Sequence, residues 1–160
     1  MRKALGLLVI AVAVAASLAL TGHKVFRGEV IIAAPPEKIW AALTDPASYP
    51  EWNPVFLKVE GTYAVGETVT TTVLFDDGSK VPLSGDVVAM EPNREMRQKG
   101  GFPGFVTFDH RWTLEPAEGG TRVIQYEEDR GLYLWFWDSS WVQPAYQKAV
   151  EALKAYVEGG

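Results

Sequence analysis

"APPEKIWAALTDPASYPEWNP", residues 34–54, is the stretch whose reading decides the fold. Pro35-Pro36 stop whatever precedes them. Pro36 and Glu37 suit the first turn of a helix, where a missing N–H costs nothing and a carboxylate meets the positive end of the helix. Ile39, Trp40 and Leu43 follow at helical spacing. Asp45-Pro46 ends the helix, because a residue before proline is pushed out of the helical region. "ASYPEW" has room for one further short helical turn. "YPEWNPVF", residues 49–56, then sets a Tyr, a Trp and a Phe among prolines. It is too broken for a helix or strand interior and too aromatic for a solvated loop. Such a piece either plugs the end of a core or lines the mouth of an apolar cavity.

Upstream, "KVFRGEVIIAA" is rich in β-branched residues and reads as a strand from Lys24. Downstream come strand-like runs separated by turn signals: 56–60, 67–75, 80–90, 94–99, 105–114 and 121–129. Their breaks fall at Gly61, Asp76-Asp77-Gly78, Glu91-Pro92-Asn93, Gly100-Gly101, Glu118-Gly119-Gly120 and Gly131. The last segment, about 138–158, is helical: Val142, Ala145, Ala149, Val150, Leu153 and Val157 share one stripe, with Pro144 near its start. Consecutive hairpins imply an antiparallel sheet with one face to bury. The long amphipathic helix is its natural cover, giving an α+β layer pair.

The chain start is different in texture. Arg2 and Lys3 precede "ALGLLVIAVAVAASLAL", which carries no charge and no polar face. This is the form of an export signal. Residues 1–23 are therefore expected to be a signal peptide or an N-terminal membrane anchor, and 24–160 the folded domain. From Ala4 to Gly22 the run reaches ~28 Å at ~1.5 Å per residue, just enough to span. Small residues at Ala13-Val14-Ala15 and Ser17-Leu18-Ala19 equally suit cleavage. Either way the positive end should stay cytoplasmic and the domain should be exported, anchored by a single pass or periplasmic or extracellular.

Bulk composition narrows the function classes. The 160 residues are 48% hydrophobic and 22% charged, which reads as globular. A net charge of −5 argues against a nucleic-acid partner. The absence of Cys removes disulfides, thiolate metal sites and a Cys nucleophile.

Strand parity assigns an inner face. Val106, Phe108, His110, Trp112 and Leu114 alternate with Thr107, Asp109, Arg111 and Thr113, so the first set is expected inside. Val69, Thr71, Val73 and Phe75 are the inward set of their strand, as are Val81, Leu83 and Val87 of theirs. Met96 is expected in, with Glu95, Arg97 and Lys99 out. The run 121–129 is ambiguous: Val123 goes with Gln125 and Glu127, and Ile124 with Tyr126 and Glu128. Glu127-Glu128-Asp129 reads as a solvated strand end. The inner surface is thus apolar with a few polar points, the composition of a ligand pocket and equally of an ordinary core.

The whole order, with "APPEKIWAALTDPASYPEWNP", "HRWTLEPAEGGTRVIQYEE" and "AVEALKAYVE" in it, resembles the SRPBCC superfamily. That group includes the steroidogenic-acute-regulatory-related lipid-transfer domains, the birch-pollen-allergen fold and the polyketide cyclase/dehydrase-like branch, which the second stretch resembles most. The resemblance covers about residues 25–158. It implies a helix-grip fold: a curved antiparallel sheet of about seven strands around the long C-terminal helix, two short helices after the first strand, and an apolar cavity between them. The ligand-facing residues it implies are Trp40, Trp52, Phe56, Phe75, Met96, Phe108, His110, Trp112 and Tyr126. Trp52 would face that cavity or close its end.

The expected function is therefore binding, or binding and transport, of a hydrophobic small molecule or lipid, with no cofactor. The alternative is a cyclase-like enzyme in which His110 transfers a proton. No orienting partner for His110 is visible in the sequence. Two histidines without Cys or a close acidic cluster give no metal site. A third reading is a partner-binding domain with a filled interior. "LYLWFWDSSW", residues 132–141, holds five aromatics between the last strand and the long helix. It is either an aromatic lip facing membrane or ligand, or a segment half buried and half scattered.

Overall fold

In a computed structural model the structure describes residues 2–159, apart from the side chains of Arg2 and Ala4. The expected positive charge at Arg2 lies outside the described side chains. Helix α1 (Arg2–Thr21) runs through Gly22 straight into strand β1 (His23–Ile32). Then come α2 (Pro36–Thr44), a 3₁₀ turn (Pro46–Ser48) and α3 (Tyr49–Trp52). A meander follows: β2 (Phe56–Glu60), β3 (Thr68–Leu74), β4 (Lys80–Glu91), β5 (Glu95–Phe102), β6 (Val106–Ala117) and β7 (Gly120–Arg130). A second 3₁₀ turn (Leu132–Trp135) leads to α4 (Val142–Gly159). The expected α+β helix grip is what the chain forms.

All seven strands join one antiparallel sheet in the order β1-β7-β6-β5-β4-β3-β2. Bulges between Phe56 and Lys58 and between Val87 and Ala89 add bend and twist to the sheet. It curls around α4, which buries Val142, Tyr146, Ala149, Val150, Leu153 and Val157. Tyr146 belongs to that stripe, whereas the expected Ala145 is only half-buried. Helix α4 also starts later than the expected residue 138: Asp138 caps a turn instead, accepting from the Ser140 N–H at 3.0 Å.

Helix α4 lies along the free edge of β1. Gln143 Oε1 accepts from Arg27 N–H at 3.0 Å, and the same side chain donates to the Arg27 carbonyl. Gln147 does the same for Glu29, at 3.2 Å in both directions. Further along, Lys154 donates to the Ile31 carbonyl at 2.8 Å and Glu158 accepts from Ala33 N–H at 2.8 Å. Residues 27, 29, 31 and 33 are alternate positions on one edge, so helix side chains satisfy the donors and acceptors an eighth strand would have taken. Gly28 allows this approach: a Cβ there would stand 2.5 Å from the Tyr146 carbonyl oxygen.

The stretch 34–54 plugs one end of the grip. Tyr49 is 1% exposed and Trp52 6%. The Tyr49 hydroxyl donates to the Leu43 carbonyl at 2.9 Å, and Trp52 Nε1 donates to Ser48 Oγ at 3.2 Å. Asn53 Oδ1 accepts from the N–H groups of Val55 and Phe56, at 2.9 and 2.7 Å, which turns the chain into β2. The prolines of "YPEWNPVF" thus hold a buried stopper. Its ring neighbours are Trp112, edge-on to Trp52 at 6.4 Å, and Tyr63, 6.4 Å from Tyr49.

Among the described residues no helix is long and apolar enough to cross a membrane. The described side chains of α1 from Leu5 to Leu20 are nearly all exposed and apolar. Its far end meets the second 3₁₀ turn, where Trp135 Nε1 donates to the Leu18 carbonyl at 3.1 Å.

Candidate functional site

The inner face of the sheet is layered by register. One row runs Met96, Trp112, Gln125 and Gly28 across β5, β6, β7 and β1. The next runs Gln98, His110, Glu127 and Phe26, and the third Gly100, Phe108, Asp129 and Lys24. From the first row toward α3 the interior is filled: Trp112, Met96, Val123, Leu153 and the stopper form one packed core. From the second row outward it is hollow.

The hollow is a cavity of about 550 Å³, within the range of small-molecule sites. Its walls are Val55, Phe56, Val69, Val73 and Phe75 on one side and Val106, Phe108, Tyr146, Trp137 and Trp141 on the other. Phe102 and Tyr133, both exposed, stand at its rim. Two glycines shape it. The outer edge of the Phe108 ring reaches the paired Gly85 and Gly100, where added Cβ atoms would come within 2.9 and 2.6 Å of it.

A polar cluster sits where hollow meets core. His110 is 5% exposed and ringed by Phe56, Trp112 and Tyr146, with centroids 5.7, 6.0 and 6.0 Å away. The Gln125 side-chain amide meets its Nε2 at 3.2 Å. Burial pulls its pKa down to about 4, so the ring is neutral at pH 7. Directly across the ladder is Glu127, which sits near the Tyr146 hydroxyl and beside Asp129 on the same strand face. Burial, then the charge of Asp129, pushes Glu127 up to about 8, and burial pushes Asp129 up to about 7. By surface area Glu127 is only half-buried, and the surface it keeps faces the cavity, whose apolar walls disfavour its charged form. Two carboxyls in contact away from water share a proton rather than both ionise. Asp129 Oδ1 and Gln125 Oε1 are buried without a partner.

The structure brings Phe56, Phe75, Phe108 and His110 to the cavity. Trp40, Trp52, Met96 and Trp112 are not on its wall; they belong to the packed half, because α2 and α3 fill that end. The expected inward Tyr126 is corrected: it stands on the outer face under the Arg111 guanidinium, 4.3 Å from the ring centre. The reading of 127–129 as a solvated run is also corrected. Glu127 and Asp129 point in, and Glu128 alone points out, to Arg130 and His23. Sequence reasoning left Glu127 and Glu128 as alternatives for the inward carboxylate, and missed Asp129, Tyr146 and Gln98. A signal for Glu127 existed: the β6–β7 hairpin has an unbroken register from its Ala117–Gly120 turn, so the residue opposite inward His110 must point inward too. The aromatic stretch 132–141 splits. Trp137 and Trp141 line the cavity, while Trp135 and Phe136 are 56% and 75% exposed. Among the described residues no group of His, Asp and Glu is placed to hold a metal ion.

Residues 23–158 match the family described as polyketide cyclase/dehydrase and lipid transport. No curated protein matches the sequence. Among solved structures, an uncharacterized protein from Rhizobium leguminosarum superposes with a TM-score of 0.68 at 17% identity, covering 86% of this chain and 96% of that one. Ara h 8.0201 gives 0.63 at 19%, covering 87% and 100%. The di-domain ARO/CYC StfQ of the steffimycin biosynthetic pathway gives 0.68 at 13%; it covers 86% of this chain, which spans about half (51%) of that protein. These likenesses are of fold.

Proposed function

The chain belongs to the polyketide cyclase/dehydrase and lipid transport family of the helix-grip superfamily, and from that premise we propose that it binds a hydrophobic small molecule or lipid in its internal cavity. The family fold supports ligand binding in a cavity generally. The observation that carries the reading here is the half-hollow grip: about 550 Å³ left open behind a well-packed core, walled by aromatics that the same chain buries elsewhere. A domain that needed only stability would fill such a space, because voids forfeit contacts. An environment-sensitive apolar dye should bind the full-length protein and be displaced by apolar ligands. Phe108→Ala should change its affinity by about tenfold or more, since it removes a wall ring. If no apolar probe binds, the reading fails.

The alternative, a cyclase-like enzyme with His110 as proton carrier, is less well supported. Nε2 of His110 is occupied by Gln125, and a pKa of about 4 makes the ring a weak base at neutral pH. His110→Gln should therefore lower ligand affinity by no more than about tenfold, the worth of one hydrogen bond. A substrate whose turnover drops by ~10²–10⁴ in that variant, with binding intact, would restore the enzyme reading.

We place the domain on the outer side of a membrane, with residues 1–23 as export signal or anchor. The uncharged apolar run, and the exposed Trp135 and Phe136 beside the end of α1, support this. Cell fractionation with N-terminal sequencing of the mature protein tests it.

A further inference from the structure

We propose that the ligand is an apolar amine, held by its protonated nitrogen against Glu127 and Asp129. This rests on the ligand-binding reading and names the ligand's class. The charge of the wall leads to it. Among the described residues, the only Asp, Glu, Lys or Arg side chains lining the cavity are Glu127 and Asp129. The cation next to them in the ladder, Lys24, is committed elsewhere: its ammonium donates to the Trp137 carbonyl at 2.8 Å and to Ser139 Oγ at 2.7 Å.

The unmet hydrogen bonding points the same way. Asp129 is 3% exposed and lines the cavity, and its Oδ1 has no partner. That oxygen is an acceptor, so the wall is short of a donor there. An ammonium brings three N–H donors and a positive charge. It can take the place of the proton that the two carboxyls otherwise share. A fatty-acid carboxylate would add a third acidic group whose nearest cation, Lys24, is already bonded to Trp137 and Ser139, so like-charge repulsion and burial both oppose it. A neutral alcohol would gain a hydrogen bond but no charge pairing. The rings of Phe108, Trp137 and Tyr146 share the wall, and aromatic faces favour a desolvated cation over a neutral group. Burying one charge against another in such a site is stabilising only when the partners are already held in place. Glu127 lies beside Tyr146 on the cavity wall, and Tyr146 is fixed by the close seat of α4 on Gly28.

The test compares three probes of one shape at pH 7: 2-naphthylmethylamine, 2-naphthylmethanol and 2-naphthoate, titrated calorimetrically into the full-length protein. The amine should bind at least about tenfold more tightly than the alcohol, and the carboxylate most weakly, since hydrogen bonds to charged groups outweigh neutral ones. In Glu127→Gln with Asp129→Asn the amine's advantage should fall below about threefold, while the alcohol's own affinity stays within about threefold. Should that double variant not fold, Asp129→Asn alone decides, with the advantage expected to fall at least about threefold. Carboxylate binding as tight as amine binding overturns the inference, as does an amine preference that survives the substitutions. In those cases the cavity still binds and only the ligand class is wrong. If none of the three probes binds, the cavity reading itself falls, and this inference with it.

Discussion

Glu127 and Asp129 occupy alternate positions on β7, and their burial makes the folded chain hold protons that the unfolded chain releases. The consequence for stability has a definite sign. A carboxyl whose folded pKa is raised stabilises the fold in full below the ordinary carboxylate range, and that contribution is lost as pH rises through the folded value. His110 acts the other way, but only below its ordinary range: its lowered pKa costs stability as pH falls from about 6.5 toward 4. Between pH 6.5 and 8.5 the carboxyl pair therefore dominates. Unfolding free energy from urea titrations should fall across that window, by roughly 1 kcal/mol per pH unit. Glu127→Gln should flatten the slope. A profile that rises with pH, or is unchanged in the variant, would show that the pair does not titrate as its burial implies.

At the scale of elements, the two ends of the grip do different jobs. The α2–α3 stopper completes the core through Tyr49 and Trp52, while β6 and β7 continue past it to wall the cavity. Trp52→Ala should cost roughly 3–5 kcal/mol, the usual range for deleting a buried aromatic. Because Trp52 does not line the cavity, dye affinity measured on the folded fraction should stay within about twofold. The contrast with Phe108→Ala, which should alter binding more than stability, is the check. If both substitutions shift affinity equally, the separation of stopper from site is wrong.

At the scale of the molecule, α1 touches the domain through few groups. Trp135 Nε1 reaches the Leu18 carbonyl, and Gly131 N–H donates to the Gly22 carbonyl at 3.0 Å. The closed elements, seven strands gripping α4, lie almost wholly within residues 24–160. That segment should fold alone and unfold in one cooperative urea transition, less stable than the full chain by about 1–3 kcal/mol, since the cut also removes His23 with its ladder place opposite Arg130 and its bond to Glu128. A non-cooperative transition would mean that α1 is part of the fold.

Element order, the α+β layer pair and the inner face of β6 are legible in the residues, and the helix grip follows from the resemblance. The prolines around residues 34–54 punctuate the chain, and the alternation through Phe108, His110 and Trp112 records which side of a sheet a residue takes. It determined the side but not the depth. Phe108 and Trp112 share a parity, yet one walls a cavity and the other is packed, because Trp52 arrives from α3 to cover Trp112 and nothing fills the space before Phe108. The inner face of β7 stayed ambiguous for a related reason. Both its alternating sets mix apolar and acidic residues, so only pairing with β6 turns Glu127 and Asp129 inward and Tyr126 outward. Burial then changes what those carboxyls are: the same Glu127-Glu128-Asp129 that reads as a solvated run becomes a proton-holding pair and one surface charge. Period and punctuation are local and survive in the chain. What fills a row, and how dry a side chain becomes, depends on elements a hundred residues apart, and only the tertiary structure decided that.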